Sequence, residues 1–530
     1  MDDVRSGGPE RPAEGAPGLG RRRAVLAVLC VALMMIVSMV VSLTVALPDI
    51  AGDLGASQTE LLWIMNSYGL VFAGLLLPAG ALGDRYGRKG MLLAGIGVFG
   101  AASAGALWAD QPGALIALRV VAGAGAAMIM PMTLSIVTTT FPAKERAGAV
   151  AIWSAVSAGG ALMGLLLAGA LLEGFSWRSV FGLSLALAVV SALGVVAVVP
   201  TSRDPEGTAV DVVGAVLSVV GLCAVVYAIV EGPERGWSDA AVVAGAVGGA
   251  VALVAFVLWE LRVEHPLLDP RFFRIGAFSA GSVVIVMASV GIFGLFYILL
   301  QYLQWLKDYS PLTAGLALMP MMLAVGAVSP AAPVLVRRLG LRVVLTVAML
   351  VIAVGMGVLA TLDEGSSYGP LAAGTVVVGA GIALCLAPAT DSIVASLPPA
   401  KQGVASAVND VTREVGGALG IAVLGSAFNS GYRGGIGERE GEIPAQALGA
   451  ARSSVDAALA TAERLGGSAG EKLAAAARHA FASGMDRAML VAALCVFAGA
   501  LAVLLLAPGR TESVRLQQRQ ERQHTEARQG

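Results

Sequence analysis

The sequence predicts an all-α polytopic membrane protein, and three observations carry this prediction: the composition, the long apolar runs and the charges between them. Of the 530 residues, 57% are hydrophobic and only 13% are charged. In soluble proteins about a quarter of the residues are charged, so a chain this apolar is typical of one that crosses a bilayer many times. The formal net charge of -1 is not informative about nucleic-acid or acidic partners, because the sum hides how the charges are distributed along the chain.

Runs of about 20 apolar residues, the length that crosses the hydrocarbon core as a helix, recur along the chain. The first follows Arg21, Arg22 and Arg23 and is too long for the core of a signal peptide, so we predict that it is retained with its N-terminus in the cytoplasm. The fourteen predicted spans are 24–47, 61–82, 90–109, 114–140, 146–172, 178–199, 209–231, 239–260, 277–304, 311–336, 341–362, 370–395, 402–428 and 486–507.

Charges in the short loops test this topology independently, because cytoplasmic loops carry an excess of Lys and Arg. The six short loops assigned to the inside carry 13 Lys or Arg, whereas their six outer counterparts carry three, namely Arg178, Arg235 and Lys307. An even number of spans returns the chain to its starting side. We therefore predict a multi-pass protein of the cell membrane with both termini in the cytoplasm.

The loop sequences also divide the chain into two halves. RRLGLR at 337–342 echoes DRYGRK at 84–89 and lies where a second half of six helices would place it. Within the second half, 431–484 is predicted to be a long outer loop with short amphipathic helices. The predicted organisation is a tail at 1–23, a six-helix bundle at 24–200, two inserted helices at 201–262, a second six-helix bundle at 263–508 and a tail at 509–530.

GDRYGRKG at 83–90 resembles the signature loop between helices 2 and 3 of the major facilitator superfamily. The loop's Gly, Asp, Arg, Gly and Arg stand at Gly83, Asp84, Arg85, Gly87 and Arg88. An ordinary positive-inside turn with glycines is the alternative. Nearly the whole chain is similar to the fourteen-helix drug/proton antiporters of that superfamily, as in ALPDI at 46–50, WIMNSYGLVFAGLLLPAGALGDRYGRK at 63–89 and NDVTREVGGALGIAVLGS at 409–426.

This resemblance implies a major facilitator fold of two six-helix bundles, with two inserted helices, that rock around a central site. It also implies a secondary transporter that exports apolar or amphipathic small molecules in exchange for protons. Asp84 and the basic residues after it would form a gating latch on the cytoplasmic side, with the start of the span 402–428 as its partner.

Arg119, in the span 114–140, matches the superfamily's arginine motif together with Gly123 and Gly125, and the resemblance associates it with proton transfer. An arginine at the centre of a membrane helix costs about 2.5–3.5 kcal/mol on insertion scales, so we expect this residue to be retained for a function. Because Arg119 lies near the outer boundary, a side chain that reaches surface water is the alternative.

Two positions depart from the antiporter pattern. Leu165 stands where the antiporter motif has a proline, and Met39 stands where the first helix has an aspartate. If proton coupling is retained, another acid must carry it.

The span 402–428 supplies two such acids. At about 1.5 Å per residue, Asp410 lies about 12 Å and Glu414 about 18 Å into a core about 30 Å thick, and Arg413 shares their helix face. We predict that Asp410, Glu414, Arg413 and Arg119 are the proton-coupling residues. The alternative is an Asp-Arg-Glu network that only fastens this helix to a neighbour.

Several aromatic and amide side chains inside the spans are candidates for an adaptable substrate pocket. For each of them, ordinary packing in the core or against lipid is the alternative. The candidates are Asn66, Tyr68, Phe293, Tyr297 and Gln301.

No cofactor or metal is expected, and the chain is not expected to be an enzyme. All four cysteines lie in apolar runs without C-x-x-C spacing, and no histidine lies in a predicted span. The sequence contains no phosphate-binding loop of the form GxxxxGKS or GxxxxGKT, so a pump driven by nucleotide hydrolysis is not expected. The expected partners are a small-molecule substrate, protons and the lipid bilayer, with no nucleic acid, and we expect a monomer.

Two other functions stay open. The departures at Met39 and Leu165 favour a facilitator, or a differently coupled exporter of one natural product. A membrane receptor or sensor that binds a ligand without moving it belongs to another class. Its mark would be a soluble signalling domain, for which neither tail is long enough.

Overall fold

Helices form the regular structure throughout the part of the chain that the computed structural model describes, which is residues 19–201, 211–264, 266–397 and 402–509. Thirteen helical segments in this part are long and apolar enough to cross a membrane, when the segmented run 311–339 is counted as one. The helix at 143–172 stands at the remaining predicted position, although several of its side chains are outside the described part. The prediction of an all-α polytopic membrane protein is confirmed.

The first bundle contains six helices that alternate in direction. Helix α2 begins with a capping box, in which Ser57 and Glu60 each satisfy a backbone N–H of the other. It ends at Tyr86, and Gly87 then adopts a positive φ of 128° before the next helix begins. The helices are α1 (Leu19–Leu54), α2 (Gln58–Tyr86), α3 (Arg88–Ala106), α4 (Pro112–Thr140), α5 (Ala143–Leu172) and α6 (Arg178–Val198).

Two inserted helices, α7 (Val212–Arg235) and α8 (Ala240–Glu260), pack against each other as a hairpin. An aspartate caps the N-terminus of each: the side chain of Asp211 accepts from the N–H of Gly214, and that of Asp239 accepts from the N–H groups of Ala241 and Val242. Along α8, valines and leucines are widely exposed, which suits a helix that faces lipid.

The second bundle contains the remaining helices, and its core is built on α9, α15 and α18, which pack on one another. The helices are α9 (Gly276–Trp305), α10 (Pro311–Ala317), α11 (Met319–Val328), α12 (Ala332–Leu339), α13 (Leu341–Leu359), α14 (Tyr368–Ala395), α15 (Gln402–Glu438), α16 (Leu448–Ser453), α17 (Val455–Leu465) and α18 (Gly467–Leu506).

The predicted span 311–336 is broken into the three pieces α10, α11 and α12. Pro320, Pro330 and Pro333 stand at or near the starts of the pieces that follow each break. Proline lacks the N–H that continues a helix and clashes with the preceding turn, so the apolar run crosses as a segmented helix.

The outer segment 431–484 is more regular than the sequence suggested. Helix α15 continues to Glu438 and α18 begins at Gly467, so only 439–466 connects them. Gly431 and Gly435 of α15 lie so close to Gly484 and Ala480 of α18 that a Cβ on either glycine would stand 2.8 Å from a backbone Cα. This glycine contact lets the two helices stay paired beyond the predicted spans.

We call the end of the bundle that carries Ser57 and Lys307 the outer end, following the predicted topology. Here the halves are held together by hydrogen bonds. The Gln58 amide donates to the Tyr297 hydroxyl (3.0 Å), and the Asn429 amide donates to the Thr59 hydroxyl (3.3 Å). The Gln304 amide also donates to the carbonyl of residue 45 (3.1 Å). The structure is therefore closed at the outer end.

The inserted helix α7 packs along the line where α2 of the first half meets α15 of the second. Near its outer end, Glu231 accepts a hydrogen bond from the Trp63 indole of α2 (2.8 Å), and Glu234 lies 3.6 Å from the guanidinium of Arg433 on α15. Helix α7 thus contacts both halves through charged side chains.

Candidate transport site

The polar face of α15 forms the centre of the candidate site. The Arg413 guanidinium lies 3.4 Å from an Asp410 carboxylate oxygen and 3.5 Å from one of Glu414. The side chains of Asp410 and Glu414 are 16% and 12% exposed, and that of Arg413 is 32% exposed. The three charges are therefore paired within one helix and remain partly open, so these ion pairs do not fasten α15 to a neighbour.

On both sides of this cluster along the helix, α15 is held in place by contacts with α14 and α9. Asn409 accepts a hydrogen bond from the Thr390 hydroxyl of α14 (3.0 Å). A Cβ added to Gly416 would lie 2.6 Å from the carbonyl of Val286, and one added to Gly417 would lie 3.2 Å from the ring of Phe293. The bare glycine face thus brings α9 into close contact and sets the position of the acids.

Arg119 points into the protein and not toward surface water. Its side chain is 1% exposed, and its Nε donates to the carbonyl of Ile64 on α2 (3.0 Å). The guanidinium lies 4.3 Å from the ring centroid of Tyr68, a cation–π contact. Its two terminal nitrogens have no hydrogen-bond partner within the described residues.

Tyr68 connects the predicted proton-coupling residues of the two halves. Arg119 of α4 covers its ring, and the carboxylate of Glu414 on α15 is near enough to act on it electrostatically. The Tyr68 hydroxyl is buried and finds no hydrogen-bond partner in the described part of the chain. Tyr68 is therefore in direct contact with Arg119 and within electrostatic range of Glu414.

The predicted substrate residues fall into two groups. Asn66 is buried with its amide nitrogen and oxygen both unpaired among the described residues, and Phe293 is half-buried against α15. Tyr297 and Gln301 instead belong to the outer contact: the Tyr297 hydroxyl meets Gln58, and the Gln301 amide donates to the Tyr297 carbonyl (2.6 Å).

The predicted gating loop joins α2 to α3. Gly83 is buried, and a Cβ there would collide with the sulfur and terminal methyl of Met132 on α4, so a larger residue would require that flexible side chain to move. Arg85 is exposed and stacks on the ring of Tyr86, and Arg88 opens α3. The Asp84 side chain and the side chains that begin α15 lie outside the described residues, so the latch between them stays a prediction.

At the two positions that depart from the antiporter pattern, apolar packing replaces the expected group. Met39 is buried, and its sulfur accepts from the Ser184 hydroxyl of α6 (3.3 Å). Leu165 is also buried, 3.3 Å from where a Cβ on Gly315 of α10 would lie.

Sequence reasoning missed the residues that join the halves at the outer end. Gln58, Thr59 and Asn429 stand near the ends of predicted spans, where polar side chains are usual, and nothing in their local pattern shows that they meet. The charged contacts of α7 with Trp63 and Arg433 were missed for the same reason.

Two helical bundles that meet around charged side chains inside the membrane are an arrangement typical of secondary transporters. The family model of the Major Facilitator Superfamily matches residues 27–421. The chain therefore belongs to this superfamily.

Proteins similar over most of their length support the same assignment. The chain is 35% identical to the multidrug efflux pump LfrA of Mycolicibacterium smegmatis, over 92% of this chain and 98% of that protein. It is 35% identical to the methyl viologen resistance protein SmvA of Salmonella typhimurium (83% and 89% covered) and 36% identical to the puromycin resistance protein pur8 of Streptomyces alboniger (78% and 84% covered). The family suggested by the sequence motifs is confirmed.

The fold also matches solved transporter structures. A bacterial homologue of the human lysosomal transporter Spinster, in an inward-facing and occupied conformation, superposes with a TM-score of 0.62, covering 92% of this chain and 97% of that one at 16% identity. The major facilitator fold predicted from the sequence is therefore confirmed.

Proposed function

We propose that the protein lies in the cell membrane with both termini in the cytoplasm and exports apolar or amphipathic small molecules in exchange for protons. The observation that carries this proposal is the contact of Arg119 with the Tyr68 ring in one half, within electrostatic range of Glu414 in the other half. A rocking motion of the halves changes the distance between those two charges, so it can be coupled to the charge on Glu414.

The charge of the α15 cluster suggests what is exchanged. Asp410 and Glu414 carry two negative charges when ionised, and Arg413 carries one positive charge. A net charge inside the membrane is costly, and either one proton or one cationic ligand makes the cluster neutral. Competition between a proton and a cation for the same carboxylates is a direct way to exchange them, so amphipathic cations are the preferred substrates in this proposal.

The relatives support export of this kind of compound. One is named for multidrug efflux, one for resistance to methyl viologen and one for resistance to puromycin. In the proposal, Asn66, Tyr68 and Phe293 contact the substrate, and Tyr297 and Gln301 contribute when the outer end opens. The latch of Asp84 with the start of α15 closes the cytoplasmic side in the alternate state.

The test uses inside-out vesicles, a fluorescent lipophilic cation and an imposed pH gradient. Wild type is expected to accumulate the cation, and an uncoupler should abolish this accumulation. Asp410→Asn and Glu414→Gln should remove gradient-driven export, whereas the same kind of change at an exposed acid of α14, Asp391→Asn, should retain it. Full gradient-driven export by both site variants would contradict the proposal.

A facilitator or a differently coupled exporter is the second candidate, and buried Met39 at the position of the expected acid favours it. In that case wild-type export in the same vesicles continues after the pH gradient is collapsed. The two candidates therefore give opposite results in one experiment.

A further inference from the structure

Two acidic residues meet at the inner end of the inserted hairpin, far along the chain from the α15 cluster. Asp211 precedes α7, and Glu260 is the last residue of α8. Both are buried: Asp211 is 8% exposed and Glu260 only 2%. Buried carboxylates normally have a basic partner. The groups around Asp211 and Glu260 therefore determine whether both can be ionised.

Gly214 shows how close the two carboxylates are. A Cβ added to this residue would collide with Oδ2 of Asp211 and with Oε1 of Glu260 at once. The two oxygens therefore lie within about 5 Å of each other, next to a position that glycine leaves open.

Of the four carboxylate oxygens of Asp211 and Glu260, all but one accept a hydrogen bond within the described residues. Asp211 accepts from the N–H of Gly214 (2.9 Å) and from the indole N–H of Trp259, which lies 2.9 Å from both of its oxygens. Oε2 of Glu260 accepts from the N–H of Leu268 (3.1 Å). Oε1 of Glu260 is buried and has no partner within the described residues.

No cation in the described part of the chain neutralises the pair. Asp211 is the one charged side chain there whose field acts on Glu260. On the following linker Arg262 and Glu264 are exposed, and Arg271 donates to the carbonyl of Leu261 and lies beside Asp269. On the neighbouring helices, Arg85 of α2 is exposed and Arg413 of α15 pairs with its own two acids.

We propose that Glu260 holds a proton next to the carboxylate of Asp211, so that the inserted hairpin carries a protonation site separate from the one on α15. Two carboxylates this close in a buried place cannot both be ionised without a large cost. Oε1 of Glu260 is the oxygen that bears or shares the proton, which explains why it has no donor. A proton suits the site better than a metal ion, since no group of three potential ligands occurs within the described residues.

The site has a structural consequence. Glu260 holds the N–H of Leu268 on the linker that leads to α9, so the pair fixes the connection between the hairpin and the second bundle. Loss of the proton places two like charges side by side and loosens that connection. Because the pair lies at the predicted cytoplasmic end, it responds to cytoplasmic pH whether or not α15 couples transport to protons.

Infrared spectroscopy and thermal unfolding of the purified full-length protein test the proposal. Glu260→Gln mimics the protonated acid, so it should fold, and the difference spectrum against wild type should show the loss of a protonated carboxylic acid carbonyl band. Wild type should unfold at a temperature lower by about 2 °C or more as the pH rises through the titration of Glu260, since the folded state then loses a bound proton. The Glu260→Gln variant should not show this decrease in unfolding temperature with rising pH.

Glu264→Gln, an exposed acid four residues further on, is the matched control and should behave like wild type. The proposal is overturned if Glu260→Gln removes only an ionised carboxylate band, if it leaves the pH dependence of unfolding unchanged, or if it fails to fold. None of these readings depends on transport, so they separate this site from the function proposed for α15.

Discussion

Helices α1 and α15 occupy the two halves of the transporter, and they differ in where their charged residues lie. In α1 the position of the expected membrane acid is Met39, buried and in contact with Ser184. In α15 the first third of the helix holds Asp410, Arg413 and Glu414, and these side chains are paired with one another and partly exposed. In the proposed function, the acids that bind the exchanged proton therefore belong to the second half.

The largest expected effect concerns the glycine face of α15 that positions these acids. Gly416→Leu should prevent folding or destabilise the protein by more than about 3 kcal/mol, because its side chain would meet the backbone of Val286. Gly434→Leu is the control, since Gly434 lies on the same helix with open space around its Cα. The yield of monodisperse protein and the midpoint of thermal unfolding measure both. Equal stability of the two variants would show that the close contact with α9 is dispensable.

Placing an acid at position 39 of α1 tests the same comparison between α1 and α15. Met39→Asp should cost about 2.5–3.5 kcal/mol, because it buries a carboxylate in the membrane without a basic partner. Met39→Leu keeps the volume and should cost less than about 1.5 kcal/mol. Thermal unfolding and vesicle export measure these variants. Faster proton-driven export by Met39→Asp would show that α1 still provides a working proton path.

Tyr68→Phe tests whether the two halves communicate at the site. In the proposed function the Tyr68 hydroxyl, which has no partner among the described residues, makes a hydrogen bond to the substrate during transport. Its removal should therefore weaken proton-coupled export severalfold, the equivalent of about 1 kcal/mol, while the ring keeps its contact with Arg119. Tyr86→Phe, at the exposed inner end of the same helix, should export like wild type. The initial rate of gradient-driven uptake into inside-out vesicles measures both. Unchanged export by Tyr68→Phe would argue against a role for this hydroxyl.

The smallest effect is expected at the outer end of α1, where Asp49 lies near Asp456 of α17. Burial, together with the carboxylates of Asp49 and Glu463, raises the pKa of Asp456. The folded protein thus binds a proton at Asp456 more tightly than the unfolded chain does. The contribution of Asp456 to the stability of the folded protein therefore becomes more favourable as the pH falls. Asp49→Asn should stabilise the protein slightly at neutral pH, by about 1 kcal/mol or less, and the gain should vanish in acid.

Asp53→Asn provides the contrast for this prediction. Asp53 accepts hydrogen bonds from the Trp177 indole (2.8 Å) and the Arg178 guanidinium (2.6 Å), so its replacement should destabilise the protein at neutral pH. Unfolding curves at several pH values distinguish the two variants. A gain from Asp49→Asn that persists in acid would contradict the account of Asp456.

Much of this architecture follows from the sequence, because a membrane helix requires about 20 apolar residues and the loop charges fix its direction. The polar face of α15 also follows, since helical periodicity places Asp410, Arg413 and Glu414 together. Contacts between distant residues do not follow. Asp211 and Glu260 are 49 positions apart, and Gln58 and Tyr297 are 239 apart, so only the packed structure shows that they meet.

The extent of individual helices was harder to predict for a physical reason. Polar residues after 428 suggested the end of a span, but a helix need not end where the membrane ends, and α15 continues because α18 pairs with it. The run at 311–336 looked continuous because hydropathy does not register the missing N–H of its prolines.

The central claim is that the proton exchanged for substrate is bound by the acids of α15. Its most direct test is to count the protons released when a lipophilic cation that the protein exports binds to the purified protein in weakly buffered solution. We expect about one proton per cation bound to wild type, the number that keeps the α15 cluster neutral, and almost none for Glu414→Gln or Asp410→Asn. Undiminished proton release by both variants would contradict the claim.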